Sequence, residues 1–343
     1  MKNVVLKTCM TSLVLSMSGL AAAANQQFDV PFTADNFYTD YTDYSAIAGA
    51  ALSVAAGSCI EKDVAAQAAV TIGADARADN LYAGAAVTVG ADAVVKNIYA
   101  GAAAGVAANA KAENIYAGAA VTLGAPSDAH DIEAGAAITL GASSTAYDVH
   151  SGAATTGATV RTVDENDGII TLSGNVNSLG HKEEVTELFP FEMQDALERI
   201  TAVQGALNLV GTSDNNGIST DINDYVLGTY MGSATEVTEL AGGVYEASAL
   251  NMPASATIKF TGDAIINLSD ALTLGADTTI VVDGGHKVIW NVGGALNLGA
   301  GTSFAGTAFV NGSISGATSD VQAGGQLFAQ GAVAIGSIGT DCE

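Results

Sequence analysis

The sequence predicts a mainly β protein, a parallel β-solenoid with one long helix packed along its side. Three observations predict this fold: a 17-residue repeat, an alternation of side chains inside each repeat, and one stretch with helical spacing. An Asp or Asn recurs every 17 residues at Asp63, Asn80, Asn97, Asn114, Asp131 and Asp148. A fixed period of this kind is typical of solenoids, in which each repeat stacks on the next.

The residues inside one repeat alternate as they do in a strand. In the copy that begins at Asn80, Val87 and Val89 share one side of the chain, and Thr88 lies on the other. Two glycines, Gly84 and Gly90, interrupt the unit. Although alanine favours helices, a period of two with glycine punctuation predicts short strands and turns. Each repeat is therefore predicted to be one rung, with about 4.8 Å between rungs.

Stacked rungs turn equivalent residues into columns. The predicted interior holds small alanines and the branched residues Leu81, Ile98, Ile115, Ile132, Val149, Val70, Val87, Val121 and Ile138. The Asn/Asp column is predicted at a corner, where its side chains cap backbone groups or form a ladder. Calcium is the alternative for such a column. One acidic or amide side chain per rung makes a poor cage, so no metal is predicted.

Three outward surfaces follow from these columns. One carries Tyr82, Tyr99 and Tyr116, continued by Glu133 and His150. A second is charged and carries Asp75, Arg77, Asp79, Asp92, Lys96, Lys111 and Glu113. The third carries no charge and consists of Ala69, Ala86, Ala103, Ala120, Ala137, Ala154, Thr71, Thr88, Gly105, Thr122, Thr139 and Thr156. This third surface is either a binding face or the place where the helix docks, since small residues suit both. If the helix docks there, the binding face is expected on the tyrosine side or among the C-terminal rungs.

The repeat ends near Thr159, and Ile169–Val176 is predicted as one strand. A helix is predicted over Phe191–Leu207, started by Pro190. Its apolar face is Met193, Leu197, Ile200, Val203 and Leu207. Such a helix is about 27 Å long, close to the roughly 29 Å of six rungs. Strand character then returns, because residues 271–280 match residues 295–304 with a spacing of 24.

The N-terminal sequence predicts that the protein is exported. Lys2 and Lys7, the apolar run Thr11–Leu20 and small residues after it form a signal peptide over residues 1–24. Residues 25–44 form an N-terminal segment, and residues 45–339 form one solenoid domain. Within that domain we distinguish the 17-residue repeats (45–160), a helix-containing insertion (161–239) and the C-terminal rungs (240–339). The mature protein is predicted to be secreted, with no membrane insertion.

Composition narrows the functional classes. The formal net charge of −25 argues against nucleic acid and anionic lipid as partners, and no obligate protein partner is evident. The histidines (His130, His150, His181 and His286) make no metal-spaced pair, and no nucleophile or phosphate motif is present. We therefore predict neither an enzyme nor a cofactor. Cys59 and Cys342 are either bridged, which export permits, or free.

The C-terminal third resembles the microbial ice-binding protein family. The resemblance lies in Gly242–Tyr245, Val288–Gly293, Leu298–Gly306 and Gly325–Gln330. It implies a right-handed solenoid with a long helix along its side, and ice as the ligand of a flat solenoid face. Together with the absence of charge on the third surface, this makes the candidate ice-binding residues Thr71, Thr88, Thr122, Thr139, Thr156, Ala69, Ala86, Ala120 and Ala137. The alternative is an exported structural or adhesive solenoid without ice affinity.

Overall fold

A computed structural model describes residues 43–146, 148–157, 160–163, 169–172, 176–177, 193–208, 237–322 and 325–339. In these residues the chain forms a parallel β-solenoid with one helix, as the repeat and the helical spacing predict. The signal peptide and the Thr159 boundary lie outside the described residues.

Each rung contributes one strand to each of two long sheets. The first sheet contains Tyr44–Ala48, Asp63–Ala66, Leu81–Ala83, Val94–Ala100, Lys111–Ala117, Asp128–Ala134, Asp148–Ser151, Gly243–Ala247, Ala264–Leu268, Val288–Val292, Thr307–Val310 and Gln326–Ala329. The second sheet contains Leu52–Val54, Val70–Ile72, Val87–Val89, Ala104–Val106, Val121–Leu123, Ile138–Leu140, Ala154–Gly157, Leu250–Met252, Leu272–Leu274, Leu296–Leu298, Ile314–Val321 and Val333–Ile338. A third side closes each rung and includes Arg77–Ala78, Val237–Leu240, Thr257–Phe260, Thr279–Val282 and Ser303–Phe304.

The order of the rungs in space differs from their order in the chain. The first rung pairs with the last one, because Tyr44–Ala48 lies beside Gln326–Ala329 and Leu52–Val54 lies beside Val333–Ile338. The N-terminal rungs therefore run outward from the middle of the stack, and the C-terminal rungs return to it from the other end. We call the boundary between these two pairs of strands the seam.

Antiparallel strands follow the last N-terminal rung. Val160–Val163 pairs with Ile169–Leu172, and Val176–Asn177 pairs with Ala154–Gly157. The prediction of one strand over Ile169–Val176 is therefore wrong. The chain forms two shorter strands here, because each pairs with a different neighbour.

The predicted 17-residue register is confirmed in the hydrogen-bonded pairing. Asn97 pairs with Asn114, Asn114 with Asp131, and Asp131 with Asp148. The predicted inward columns are buried, and the alanines between them fill the narrow interior. Several turns also require glycine: a Cβ on Gly101 would collide with the backbone carbonyl of Gly84 one rung below.

From Asp63 to Asn114 the Asn/Asp column forms a ladder, one of the two arrangements predicted for it. The Asn80 Nδ2 donates to Asp63 Oδ1 at 2.8 Å, Asn97 to Asn80 at 2.7 Å, and Asn114 to Asn97 at 2.7 Å. Beside it, the rings of Tyr82 and Tyr99 stack with their centroids 4.9 Å apart. Every amide in this run donates toward Asp63, so Asp63 is its terminal acceptor.

Replacing Asp63 by Asn is expected to change how stability depends on pH. Burial raises the pKa of the Asp63 carboxyl above its ordinary value of 3.8, although hydrogen bonds from Asn80 oppose the shift. A raised folded-state pKa contributes stability below the ordinary pKa, and this contribution is lost as pH rises through the folded value. In urea unfolding at a series of pH values, Asp63→Asn should lack that loss. An unchanged difference between the two proteins across this window would contradict the assignment.

The helix spans Met193–Leu207 and packs against the first sheet. Its buried residues include Leu197, Ile200, Val203 and Leu207, as its spacing predicts. They share one apolar cluster with residues from both sides of the seam, namely Tyr44, Ile47, Ala65, Tyr82, Val244, Ile265, Ile289, Phe309 and Phe328. The helix therefore bridges the two halves of the stack. No helix in the described ranges is long and apolar enough to span a membrane.

Polar side chains hold the same helix in place. The Gln330 Nε2 donates to the Leu197 carbonyl at 2.8 Å, and the Asn267 Nδ2 donates to the Leu207 carbonyl at 3.0 Å. The last carbonyls of a helix have no partner within the helix, so an external donor satisfies one of them here. The helix is thereby fixed in position along the stack.

The seam also bears on the predicted cysteine bridge. Cys59 is disulfide-bonded, and the C-terminal strand runs beside it. The Ile338 N–H donates to the Cys59 carbonyl at 2.7 Å, and the Cys59 N–H donates to Ser337 Oγ at 3.2 Å. The return of the chain to the first rung, which a Cys59–Cys342 bridge requires, is therefore present. Cys342 lies outside the described residues, and its pairing with Cys59 stays a prediction.

Candidate binding face

The outward side of the second sheet carries one column of small, uncharged residues across the whole stack. The strand registers place one residue of this column on each of twelve rungs, in the spatial order Asn251, Thr273, Asn297, Ser315, Ala334, Ser53, Thr71, Thr88, Gly105, Thr122, Thr139 and Thr156. The column crosses the seam without a break in register between Ala334 and Ser53. We call this surface the second-sheet face.

A second column of small residues flanks the first. It is formed by the residue that precedes each strand, and the carbonyls of its members accept the rung-to-rung hydrogen bonds: Ala271, Ala295, Ser313, Ala332, Ala51, Ala69, Ala86, Ala103, Ala120 and Ala137. None of them is charged either. The short side chains of the flanking alanines do not project beyond the column beside them on either side of the seam, so that column is not recessed.

The structure places the predicted site residues together on this face. Thr71, Thr88, Thr122 and Thr139 are exposed at rung spacing, and their inward neighbours are buried. Ala69, Ala86, Ala120 and Ala137 are half-buried beside them. Thr156 continues the column in register with Thr139.

The helix does not dock on this face. Its buried side chains contact outward residues of the first sheet, including Ile47, Tyr82 and Phe328. The interpretation of the Ala/Thr surface as the helix-docking site is therefore wrong. The tyrosine surface, the other site considered for a ligand, is partly covered instead, since Tyr82 is buried under the helix and Glu133 is buried as well.

The third side of the stack differs from the second-sheet face in its charges. Lys259 lies between two carboxylates, with its Nζ 2.8 Å from Asp283 and 3.4 Å from Glu239. The ammonium's hydrogen bond to Asp283 is the main cause that raises the pKa of Lys259. Charged groups hold their hydration water firmly. The segregation of charge leaves the second-sheet face with no strongly hydrated side chain in its outward column.

The two halves of the second-sheet face differ in chemistry. In the C-terminal half, neighbouring side chains bond along the column: the Ser315 Oγ donates to Asn297 Oδ1 at 2.9 Å, and the Asn297 Nδ2 donates to Thr273 Oγ1 at 3.4 Å. The N-terminal half is built mainly of threonine. Threonine presents a methyl group and a hydroxyl, and its β-branched side chain has few rotamers. The N-terminal half therefore offers the more uniform array.

Sequence reasoning treated the C-terminal rungs as an alternative to the Ala/Thr surface and did not show that they continue it. The 24-residue match between residues 271–280 and 295–304 already places Thr273 and Asn297 in equivalent positions. The link that was missing is the seam, because no local pattern shows that Ala334 is the neighbour of Ser53. Without that link, the two sets of rungs read as separate surfaces.

Comparisons with known proteins find similarity in structure. No protein-family model and no curated protein matches the chain. An ice-binding protein from an Antarctic biological consortium is 11% identical over 93% of this chain and 91% of its own, with a TM-score of 0.40. One from the Antarctic ascomycete Antarctomyces psychrotrophicus is 10% identical over 90% and 98%, with a TM-score of 0.41. A glycosylated one from an Arctic yeast is 12% identical over 88% and 92%, with a TM-score of 0.39.

Proposed function

We propose that this protein is exported and binds ice through the second-sheet face. The main contacts are Thr71, Thr88, Thr122, Thr139 and Thr156. Ala69, Ala86, Ala120 and Ala137 flank them. The observation that carries the proposal is the uncharged column on twelve successive rungs, which the helix leaves uncovered.

The physical reason lies in how such a surface holds water. Hydroxyl groups about 4.8 Å apart along the stack give water a regular set of hydrogen-bonding positions. The methyl groups and the alanines between them leave room for water to bond to other water. A rigid backbone keeps these positions fixed, because every rung is hydrogen-bonded to both neighbours within the stack. Water ordered in this way is able to merge with the surface of a crystal of ice.

The experiment that tests the proposal uses the mature chain, from about residue 25. An ice crystal is held in a dilute solution of the purified protein and cooled slowly. We expect faceted growth and a measurable gap between the melting and freezing temperatures. Round crystals with no such gap would overturn ice binding and would favour a structural or adhesive solenoid. The N-terminal residue of the secreted protein, read by mass spectrometry, tests export and cleavage separately.

A further inference from the structure

We infer that Gly105 limits the strength of the proposed contact, because it interrupts an otherwise continuous run of threonines. This inference rests on the proposed function and refines it. Gly105 pairs in register with Thr88 on one side and with Thr122 on the other. It occupies the position that threonine occupies on the two rungs below it and the two above it within Thr71–Thr139.

Nothing in the local backbone calls for glycine at this position. A Cβ built on Gly105 would meet no heavy atom within 4 Å, whereas one on Gly101 or Gly124 would collide with the backbone of the rung below. The backbone φ angle of Gly105 is also not in the positive range that favours glycine. The other two glycines are fixed by close packing, and Gly105 is not.

The missing side chain divides the array into two shorter ones. Thr88 and Thr122 are two rungs apart, so about 10 Å separates the hydroxyl groups on either side of Gly105. Water next to Gly105 has no hydroxyl group with which to form a hydrogen bond and no methyl group to contact. Because an ice contact of this kind depends on consecutive, equally spaced groups, the gap weakens the whole array and not only one position.

A threonine at position 105 is compatible with the fold. The strand Ala104–Val106 keeps its inward residues buried, and the outward position opens to solvent. Glycine inside a strand weakens it, and threonine is a favourable strand residue. The variant Gly105→Thr is therefore expected to fold at least as stably as the parent.

The test compares the gap between melting and freezing temperatures for the parent and Gly105→Thr at equal molar concentration. We expect a larger gap for Gly105→Thr, with an unchanged or higher midpoint of thermal unfolding. Val94→Thr is the matched control. Val94 is exposed at the start of its strand, where it pairs with Arg77 on the third side, so the change adds a threonine outside the face. The control should leave the gap unchanged.

Three results overturn the inference. A gap that stays the same would show that position 105 lies outside the contact, and a smaller gap would show that the recess itself is used. A similar increase in Val94→Thr would show a general effect of added threonine. These failures differ from failure of the proposed function, in which the parent itself shows no gap and no faceted growth.

Discussion

Thr122→Tyr is expected to abolish the shaping of ice while leaving the fold intact. Thr122 lies near the middle of the threonine run, in register with Gly105 and Thr139. A tyrosine ring there would stand above the flat surface and hold the neighbouring threonines away from a planar partner. The position is exposed, so the larger side chain displaces no core atom, and changes at such surface positions are usually within about 0.5 kcal/mol.

The measurement pairs crystal shape with a test of folding. Circular dichroism and thermal unfolding should match the parent, and crystals should grow as they do in buffer. Val94→Tyr is the matched control: it places the same ring at an exposed position that pairs with Arg77 on the third side, and it should preserve ice shaping. If Thr122→Tyr folds and shapes ice as the parent does, the second-sheet face is not the binding surface.

The rungs of the N-terminal half could be predicted because their information is local. The alternation around Thr88 sets which side chains point inward, and the 17-residue spacing sets which residues meet between rungs. Both follow from strand geometry alone. The helix could also be predicted from local information, since Leu197, Ile200 and Val203 recur at helical spacing and are buried as predicted.

The seam and the docking side of the helix could not be predicted in the same way. Both depend on contacts between distant parts of the chain, such as Leu52 with Val333 and the Gln330 Nε2 with the Leu197 carbonyl. Small residues on the second-sheet face suited either helix packing or a ligand. The helix docks on the first sheet because the large side chains of the C-terminal rungs, including Phe309 and Phe328, give it a larger apolar surface there.

Leu197→Ala is expected to destabilise the protein by about 2–5 kcal/mol, the usual range for a large-to-small change in a core. Leu197 is 8% exposed and belongs to the cluster between the helix and the first sheet. That cluster joins residues on both sides of the seam, such as Ile47 and Phe328. Its loss therefore weakens the bridge between the two halves of the stack as well as the packing of the helix itself.

Urea unfolding at constant pH measures this loss, and Glu198→Ala serves as its control. Glu198 is the next residue on the helix and is exposed, so its removal should change the free energy of unfolding by no more than about 0.5 kcal/mol. A loss near zero for Leu197→Ala would mean that the helix is not packed tightly against the first sheet. In that case the helix would not secure the seam, and the hydrogen bonds between Tyr44–Ala48 and Gln326–Ala329, with those of the second sheet, would have to hold the two halves of the face in register.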